Sequence, residues 1–114
     1  MLFTESLKNN YEFRRLYRRG KSDSGPYVAV YFHRNGKNIN RLGITTGGKI
    51  GNAVTRNLVR RRISEAYRIS EARFKKGYDI VVVARKQAAP AEYKLIEADM
   101  MRVMKKLGLL NDAL

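Results

Sequence analysis

The sequence predicts an α+β fold, a two-layer sandwich of helices against a central, mostly antiparallel sheet. Two runs indicate strands: residues 27–32, rich in β-branched and aromatic side chains, and residues 78–84, almost wholly apolar. A third strand is expected at 41–45 after a turn, and apolar residues at helical spacing indicate three helices, which gives the order α-β-β-α-β-α. With 114 residues the chain is long enough for one core, so we expect residues 1–114 to form a single domain.

The first helix is predicted to begin at an Asn9 cap and to end at Gly20. Phe13, Leu16 and Tyr17 fall at helical spacing between them. This helix therefore presents two aromatic side chains four residues apart.

The next segments predict two strands. Residues 21–26 are expected to form a loop before the strand at 27–32. Asparagine and glycine at 35–38 indicate a turn, which leads to a second strand at 41–45. We expect these two strands to pair as a hairpin.

The second half of the chain predicts helix, strand and helix. A long helix is expected from about Asn52 to Ile69, followed by the strand at 78–84, and together these predict a β-α-β crossover. Pro90 is expected in the first turn of the last helix. The core stripe of that helix is predicted to be Leu95, Ile96, Val103, Met104 and Leu107.

The charge points to a polyanionic partner. Twenty-four Lys and Arg against ten Asp and Glu give a formal net charge of +14, which destabilises a compact domain through self-repulsion. The absence of cysteine excludes disulfides, thiolate zinc sites and a cysteine nucleophile, and it fits a reducing cytoplasm. Neither a signal peptide nor a membrane span is expected.

The helix predicted at 52–69 has two unequal faces. Its apolar side is expected to hold Val54, Leu58, Val59, Ile63, Ala66 and Ile69. Its polar side holds Arg56, Asn57, Arg60, Arg61, Ser64 and Arg68. A solvated face usually mixes charge signs, whereas here Glu65 alone opposes the arginines, so the face indicates nucleic-acid binding. Arg62 projects into the apolar arc and must extend its charged end to the surface.

The glycine-rich segment before this helix suits a phosphate. Residues 47–51 precede the helix N-terminus, where free N–H groups and the dipole favour an anion. The segment is not a Walker motif, because Lys49 is not followed by Ser or Thr. A phosphate of an RNA backbone is the better interpretation than a nucleotide cofactor.

Residues 49–61 read Lys-Ile-Gly-Asn-Ala-Val-Thr-Arg-Asn-Leu-Val-Arg-Arg. This run resembles the signature of the bacterial ribonuclease P protein family, Lys-x-Gly-x-Ala-Val-x-Arg-Asn-x-x-(Lys/Arg)-Arg. The aromatic first helix, Ala-Arg-Lys at 84–86 and the order of elements resemble the family as well. The chain departs from the pattern at Leu58 and Gly48, where the family often has a basic residue, and at Arg62, where it usually has an apolar one.

The resemblance implies a fold and a role. The fold is ribosomal protein S5 domain 2-like, with a left-handed β-α-β crossover. The role is that of a monomeric, cytoplasmic protein subunit in a ribonucleoprotein that removes the 5′ leader of precursor tRNA by hydrolysis. Ribonuclease P RNA would carry the catalysis, and Mg²⁺ would be held mainly by that RNA and the substrate. No metal site on the protein and no contact with membrane or DNA are expected.

The resemblance also implies which residues bind. Those contacting ribonuclease P RNA would be Lys49, Arg56, Asn57, Arg60 and Arg61. A leader-binding cleft between the first helix and the sheet, on the other face of the molecule, would use Phe13, Tyr17, Tyr31, Arg85 and Lys86. Aromatic side chains stack on bases of any sequence, although aromatic pairs at this spacing are as often ordinary core.

Three other functions fit the sequence less well. Catalysis by the protein itself is disfavoured, because His33 is the single histidine and the ten carboxylates are dispersed, so no catalytic residue is predicted. A structural RNA-binding protein of the ribosomal or assembly type fits the charge but has no use for an aromatic cleft. A DNA-binding module lacks a helix-turn-helix pair around the arginine helix.

Overall fold

A computed structural model describes residues 1–111, which form one five-stranded sheet and three α-helices. The elements are β1 (Thr4–Ser6), α1 (Asn10–Arg19), β2 (Lys21–Ser24), β3 (Val28–Arg34), β4 (Asn40–Thr45), α2 (Ala53–Ser70), β5 (Tyr78–Ala84) and α3 (Tyr93–Lys106). The predicted order is confirmed, with the short strands β1 and β2 added to it. Within residues 1–111 no helix is both long enough and apolar enough to cross a bilayer.

The strands are arranged in the order β1-β4-β5-β3-β2. The pairs β2–β3 and β3–β5 are antiparallel, whereas β1–β4 and β4–β5 are parallel, and the longest ladder, β3–β5, is antiparallel. The predicted hairpin is wrong, because β5 lies between β3 and β4. Ile80, Val81 and Val82 are fully buried on both faces of β5, so burial places this strand at the centre.

The loop predicted at 21–26 is wrong in its first four residues, which form β2. The sequence Lys-Ser-Asp-Ser has no apolar alternation to indicate a strand. Its backbone nonetheless pairs with β3, Lys21 opposite Phe32 and Ser22 opposite Tyr31. An edge strand needs only one set of backbone partners, and polar side chains suit its exposed position.

The crossover β4-α2-β5 is confirmed as a parallel connection, and its left-handed sense stays a prediction. Helix α2 begins where predicted, since the Asn52 side chain accepts a hydrogen bond of 3.0 Å from the Thr55 N–H. Helix α3 begins at Tyr93, so Pro90 precedes it and does not lie in its first turn.

The buried stripes of α2 and α3 differ in part from the predicted ones. On α2, Val54 and Ile69 lie in the first and last turns and are exposed, while Tyr67 is fully buried. Tyr67 tolerates burial because its hydroxyl lies 2.9 Å from the Thr4 hydroxyl. On α3, Ile96, Val103 and Met104 are buried as predicted and Leu107 is half-buried, whereas Leu95 is exposed and Met100 takes its place in the core.

The sheet and helices α2 and α3 enclose the main core, which is the predicted two-layer sandwich. Helix α1 lies on the opposite face and covers only part of it, where Leu16 and Leu7 pack with Val81. The sheet residues beyond α1 on that face stay half-buried; they are Ala29, Tyr31, Thr45 and Val83. This uncovered strip forms the floor of an open cleft.

The buried carboxylate of Glu71 holds the N-terminal segment against the body of the protein. It accepts hydrogen bonds from the N–H groups of Leu2, at 2.6 Å, and Phe3, at 3.0 Å. Burial acts to raise the pKa of Glu71, but hydrogen bonds from Thr4, Leu2 and Phe3 and the charged N-terminus outweigh it, so the pKa is lowered.

We therefore expect Glu71→Gln to destabilise the protein by roughly 1–2 kcal/mol at pH 7. Because the folded pKa is lowered, the contribution of the Glu71 charge is complete above the ordinary pKa of 4.5 and is lost as the pH falls below it. Thermal unfolding of both proteins at pH 7 and pH 3 measures this. The difference should shrink in acid, and Glu5→Gln, an exposed charge on β1, is the control.

Candidate nucleic-acid interface

The start of α2 presents a basic surface built around a sharp turn. Gly51 has φ of +146°, a conformation that other residues rarely adopt, and Arg56 donates a hydrogen bond of 2.9 Å to its carbonyl oxygen. Lys49, Asn57 and Arg61 are exposed on the same segment. The glycine of the motif is thus required by the turn that brings Lys49 next to the helix.

Arg60 is fixed to the end of β4. Its Nη1 donates to the Ile44 carbonyl oxygen at 2.7 Å and its Nη2 to the Thr46 hydroxyl at 3.0 Å. These bonds turn the guanidinium from α2 towards the open cleft, where it forms part of the wall together with Phe13. The basic surface and the cleft therefore adjoin at Arg60, and the expectation that they lie on separate faces is corrected.

A basic rim continues from Lys49 along the top of the cleft. The turn at Gly48–Ile50 contacts the turn at Lys86–Ala88, so Lys49 and Lys86 belong to one edge. Arg85 lies beside them and donates to the Ser24 hydroxyl and the Gly25 carbonyl, both at 3.2 Å. Among the residues that the structure describes, none of these cations is paired with a carboxylate. We call this set the basic rim; it comprises Lys49, Arg56, Arg60, Arg61, Arg85 and Lys86.

The cleft beneath the rim is lined by aromatic rings. Tyr17 and Tyr31 pack edge to face with 5.1 Å between ring centres, and the Tyr17 hydroxyl lies 2.8 Å from the Thr45 hydroxyl. Tyr17 is 39% exposed. Phe13 is half-buried and lies directly on Gly43, where a Cβ would come within 2.5 Å of two ring carbons. The three predicted aromatic residues therefore line one surface, with Phe13 also reaching the smaller core.

Two adjoining grooves, each of about 480 Å³, open beside the uncovered strip. Phe13, Ile44 and Arg60 line both grooves, so they form one channel between α1 and the middle of α2. One groove reaches the strip at Thr45, and the other extends along β1, where Glu5 also lines it. Arg14 and Tyr17 lie along one of them. A single-stranded polyanion fits this combination of flat rings and flanking cations.

A charged network, which the sequence analysis missed, positions α1 over the sheet. Arg41 binds Asp79 through Nε, at 2.8 Å, and Nη2, at 2.6 Å, while its Nη1 lies 2.6 Å from a carboxylate oxygen of Glu12. The hydrogen bond to Asp79 raises the pKa of Arg41, with Glu12 adding to the effect against burial. An aspartate inside an apolar strand was the available signal, because such a charge requires a partner.

The single histidine and the acidic side chains are the remaining groups that could take part in catalysis or metal binding. His33 is exposed on β3, and its Nδ1 lies 2.8 Å from the Arg34 carbonyl oxygen. Over residues 1–111, no group of three or more His, Cys, Asp or Glu side chains is placed to hold a metal ion.

Known proteins resemble the chain over nearly its whole length. The family model described as Ribonuclease P matches residues 1–108. A protein of Clostridium botulinum strain Langeland named "Ribonuclease P protein component" is 43% identical over 106 residues, which cover 92% of this chain and 96% of that protein. A protein of Alkaliphilus oremlandii with the same name is 39% identical over 107 residues and covers 94% of each chain.

Solved structures agree with the sequence relatives. The RNase P protein of Staphylococcus aureus superposes with a TM-score of 0.85 at 32% identity, over 93% of this chain and 97% of that one. The RNase P protein of Thermotoga maritima gives 0.82 at 30% identity, over 90% and 96%. These names favour a ribonuclease P subunit over a structural protein of the ribosomal type. The chain therefore belongs to the ribonuclease P protein family, as a protein component of that enzyme.

Proposed function

We propose that the chain binds two RNAs side by side: ribonuclease P RNA on the basic rim, and the single-stranded 5′ leader of precursor tRNA in the aromatic cleft. The single observation that carries this proposal is the position of Arg60, which belongs to the basic face of α2 and also forms the cleft wall. Because one guanidinium belongs to both surfaces, a leader bound in the cleft would lie next to the RNA on the rim.

The rim suits a folded RNA. Lys49, Asn57 and Arg61 are exposed, and within the described residues no carboxylate neutralises the two cations. Arg56 and Arg60 are held by hydrogen bonds to oxygen atoms, so less side-chain freedom is lost when they meet a phosphate. Leu58 is half-buried, so a basic residue at this position would have little room to contribute to the rim.

The cleft suits an unpaired strand. Tyr17 and Tyr31 offer ring surface for stacking on bases, and Arg85 and Lys86 at the upper edge can contact phosphates. Stacking reads no particular sequence, and leaders of different precursors differ in sequence. The cleft therefore selects an unpaired 5′ extension over a mature tRNA, which has none.

In this proposal the RNA partner carries the catalysis in the cytoplasm, and one protein acts as a monomer within each ribonucleoprotein. Mg²⁺ would be bound mainly by the RNA and the substrate, where it supports hydrolysis of the phosphodiester between leader and tRNA. The protein would lower the Mg²⁺ requirement, because its cations replace part of the neutralisation that the ions otherwise supply.

Reconstitution with the cognate ribonuclease P RNA at low Mg²⁺ tests the proposal. Wild-type protein should restore 5′ processing, and the double variant Lys49→Gln/Arg61→Gln should need more Mg²⁺. The slope of log affinity for the RNA against log salt should fall by about 0.9 for each lost phosphate contact, with the B-DNA value as a guide. Both side chains are exposed, and neither forms a hydrogen bond or an ion pair within residues 1–111, so folding should be unaffected.

The matched control is Lys75→Gln/Lys94→Gln, which removes the same charge from exposed positions away from the rim. If control and rim variants behave alike, the rim is not the RNA contact and the effect is one of net charge. If wild-type protein does not lower the Mg²⁺ needed for processing, the proposed function itself is wrong.

A further inference from the structure

A second basic and aromatic pocket lies at the end of the sheet opposite the rim. It has a volume of about 520 Å³ and forms where α1 ends, β2 begins and β3 ends. We call it the lower pocket; it is lined by Arg19, Lys21, Phe32, His33, Arg34 and Tyr78. No carboxylate is found among the described residues that line it, so its potential is positive.

The partly accessible ring of the lower pocket is Tyr78, which packs against the buried Phe32. Phe32 and Tyr78 pack edge to face with 5.5 Å between ring centres. The guanidinium of Arg34 lies over the Tyr78 ring, 5.6 Å from its centre. A guanidinium held on a ring leaves its outer face free, and unpaired RNA bases stack on such planes.

Two of the pocket's cations form no ion pair within residues 1–111. Arg19 and Lys21 are exposed, and neither forms an ion pair in the part of the chain that the structure describes. Arg15 and Arg19, like Arg14 and Arg18, stand four residues apart on α1, a spacing at which like charges cost stability. A polyanion at this end of the helix would remove that cost.

The turn between α1 and β2 brings these cations together. A Cβ on Gly20 would lie 2.6 Å from the Leu16 carbonyl oxygen and 3.0 Å from that of Phe32, so only glycine fits there. The chain can therefore pass directly from the helix into the edge strand. This turn sets Arg19 and Lys21 side by side above Phe32, the residue that Lys21 faces across the ladder.

We propose that the lower pocket binds a second part of the single-stranded leader, upstream of the nucleotides in the aromatic cleft. This inference rests on the proposed function. Tyr31 of the cleft and Phe32 of the pocket are consecutive in β3 and point to opposite faces of the sheet. The edge strand β2 alone separates them on that side, and its Ser22 and Ser24 are small and exposed.

The direction of the strand follows from the position of the rim. The rim and its RNA lie at the upper end of the cleft, so the cleavage point belongs there. The leader then runs away from the rim past Tyr17 and Tyr31, and α1 closes the lower part of the sheet face where Leu16 covers Val81. The leader can leave the cleft across the edge strand β2 and reach Lys21, where the lower pocket begins.

Precursor tRNAs whose leaders lengthen by one nucleotide at a time test the proposal with the reconstituted holoenzyme. Affinity should rise in two steps, the first when the leader fills the cleft and the second when it reaches the lower pocket. The variant Arg19→Gln/Lys21→Gln should keep the first step and lose the second, about a tenfold loss with long leaders only. Its salt slope should fall by about 0.7 per removed cation, again only with long leaders.

Each control distinguishes the lower-pocket proposal from one alternative explanation. Lys75→Gln/Lys94→Gln removes equal charge elsewhere and should keep both steps. A single affinity step with wild-type protein, or equal losses of Arg19→Gln/Lys21→Gln with short and long leaders, would overturn the lower pocket while leaving the cleft intact. If Phe13→Ala/Tyr17→Ala keeps the first step, the proposed function of the cleft has failed instead.

Discussion

Replacing Phe13 and Tyr17 together with alanine should lower the affinity for precursor tRNA about a hundredfold. Each ring is expected to stack on one base, and such a contact contributes about 1–3 kcal/mol, so two of them give roughly this factor. The Tyr17–Tyr31 contact and the position of Phe13 on Gly43 show that both rings face the same channel. Equilibrium binding to the holoenzyme, with and without a leader, measures the effect.

Mature tRNA is the internal control, because it lacks the leader and its affinity should hardly change. The matched protein control is Tyr11→Ala, an aromatic residue of α1 that is 61% exposed and lines neither groove. Thermal unfolding must accompany the measurement, since Phe13 also touches the smaller core. Equal losses for precursor and mature tRNA would refute the leader cleft.

Replacing Asp79 with alanine should destabilise the protein by about 2 kcal/mol. The change leaves Arg41 with Glu12 alone and removes an acceptor of the Asn35 side chain, and breaking one partner out of a largely buried pair is costly. Denaturant unfolding, with an unchanged m-value, measures the loss. Because Arg41 and Glu12 fix α1 to the sheet, leader affinity should fall as well.

The exposed pair between Arg68 and Glu65 provides the comparison. It has similar distances but lies in solvent on α2, so Glu65→Ala should change the stability little. A double-mutant cycle of Glu12 and Arg41 isolates their coupling. Should Asp79→Ala prove no more destabilising than Glu65→Ala, the network does not hold α1 in place.

The sequence predicted those features that local patterns specify. Helix α2 begins directly after its predicted cap, Asn52. On its polar face Arg60, Arg61 and Arg68 are exposed and Arg56 is half-buried. Phe13 and Tyr17 of the first helix do face the sheet beside Tyr31. Period, capping and turn chemistry involve residues a few positions apart, so one sequence is enough to recognise them.

Features that depend on distant residues were missed. The turn at 35–38 reverses the chain, but a turn does not determine which strand pairs with β3. In the structure β5 lies between β3 and β4. Polar strands such as β2 lack a periodic signal, because only their backbone pairs. Likewise, the bonds from Arg60 to Ile44 and Thr46 span 16 and 14 residues and depend on the packing of α2 on the sheet.

The attachment of Arg60 to the end of β4 would link the two proposed RNA-binding surfaces thermodynamically. A phosphate on the rim that draws this guanidinium away from Ile44 and Thr46 also takes it out of the cleft wall. If binding of the RNA partner changes the affinity for the leader by some factor, binding of the leader must change the affinity for that RNA by the same factor. If both proposed sites are occupied as described, substrate binding and assembly of the particle would affect each other reciprocally through this one side chain.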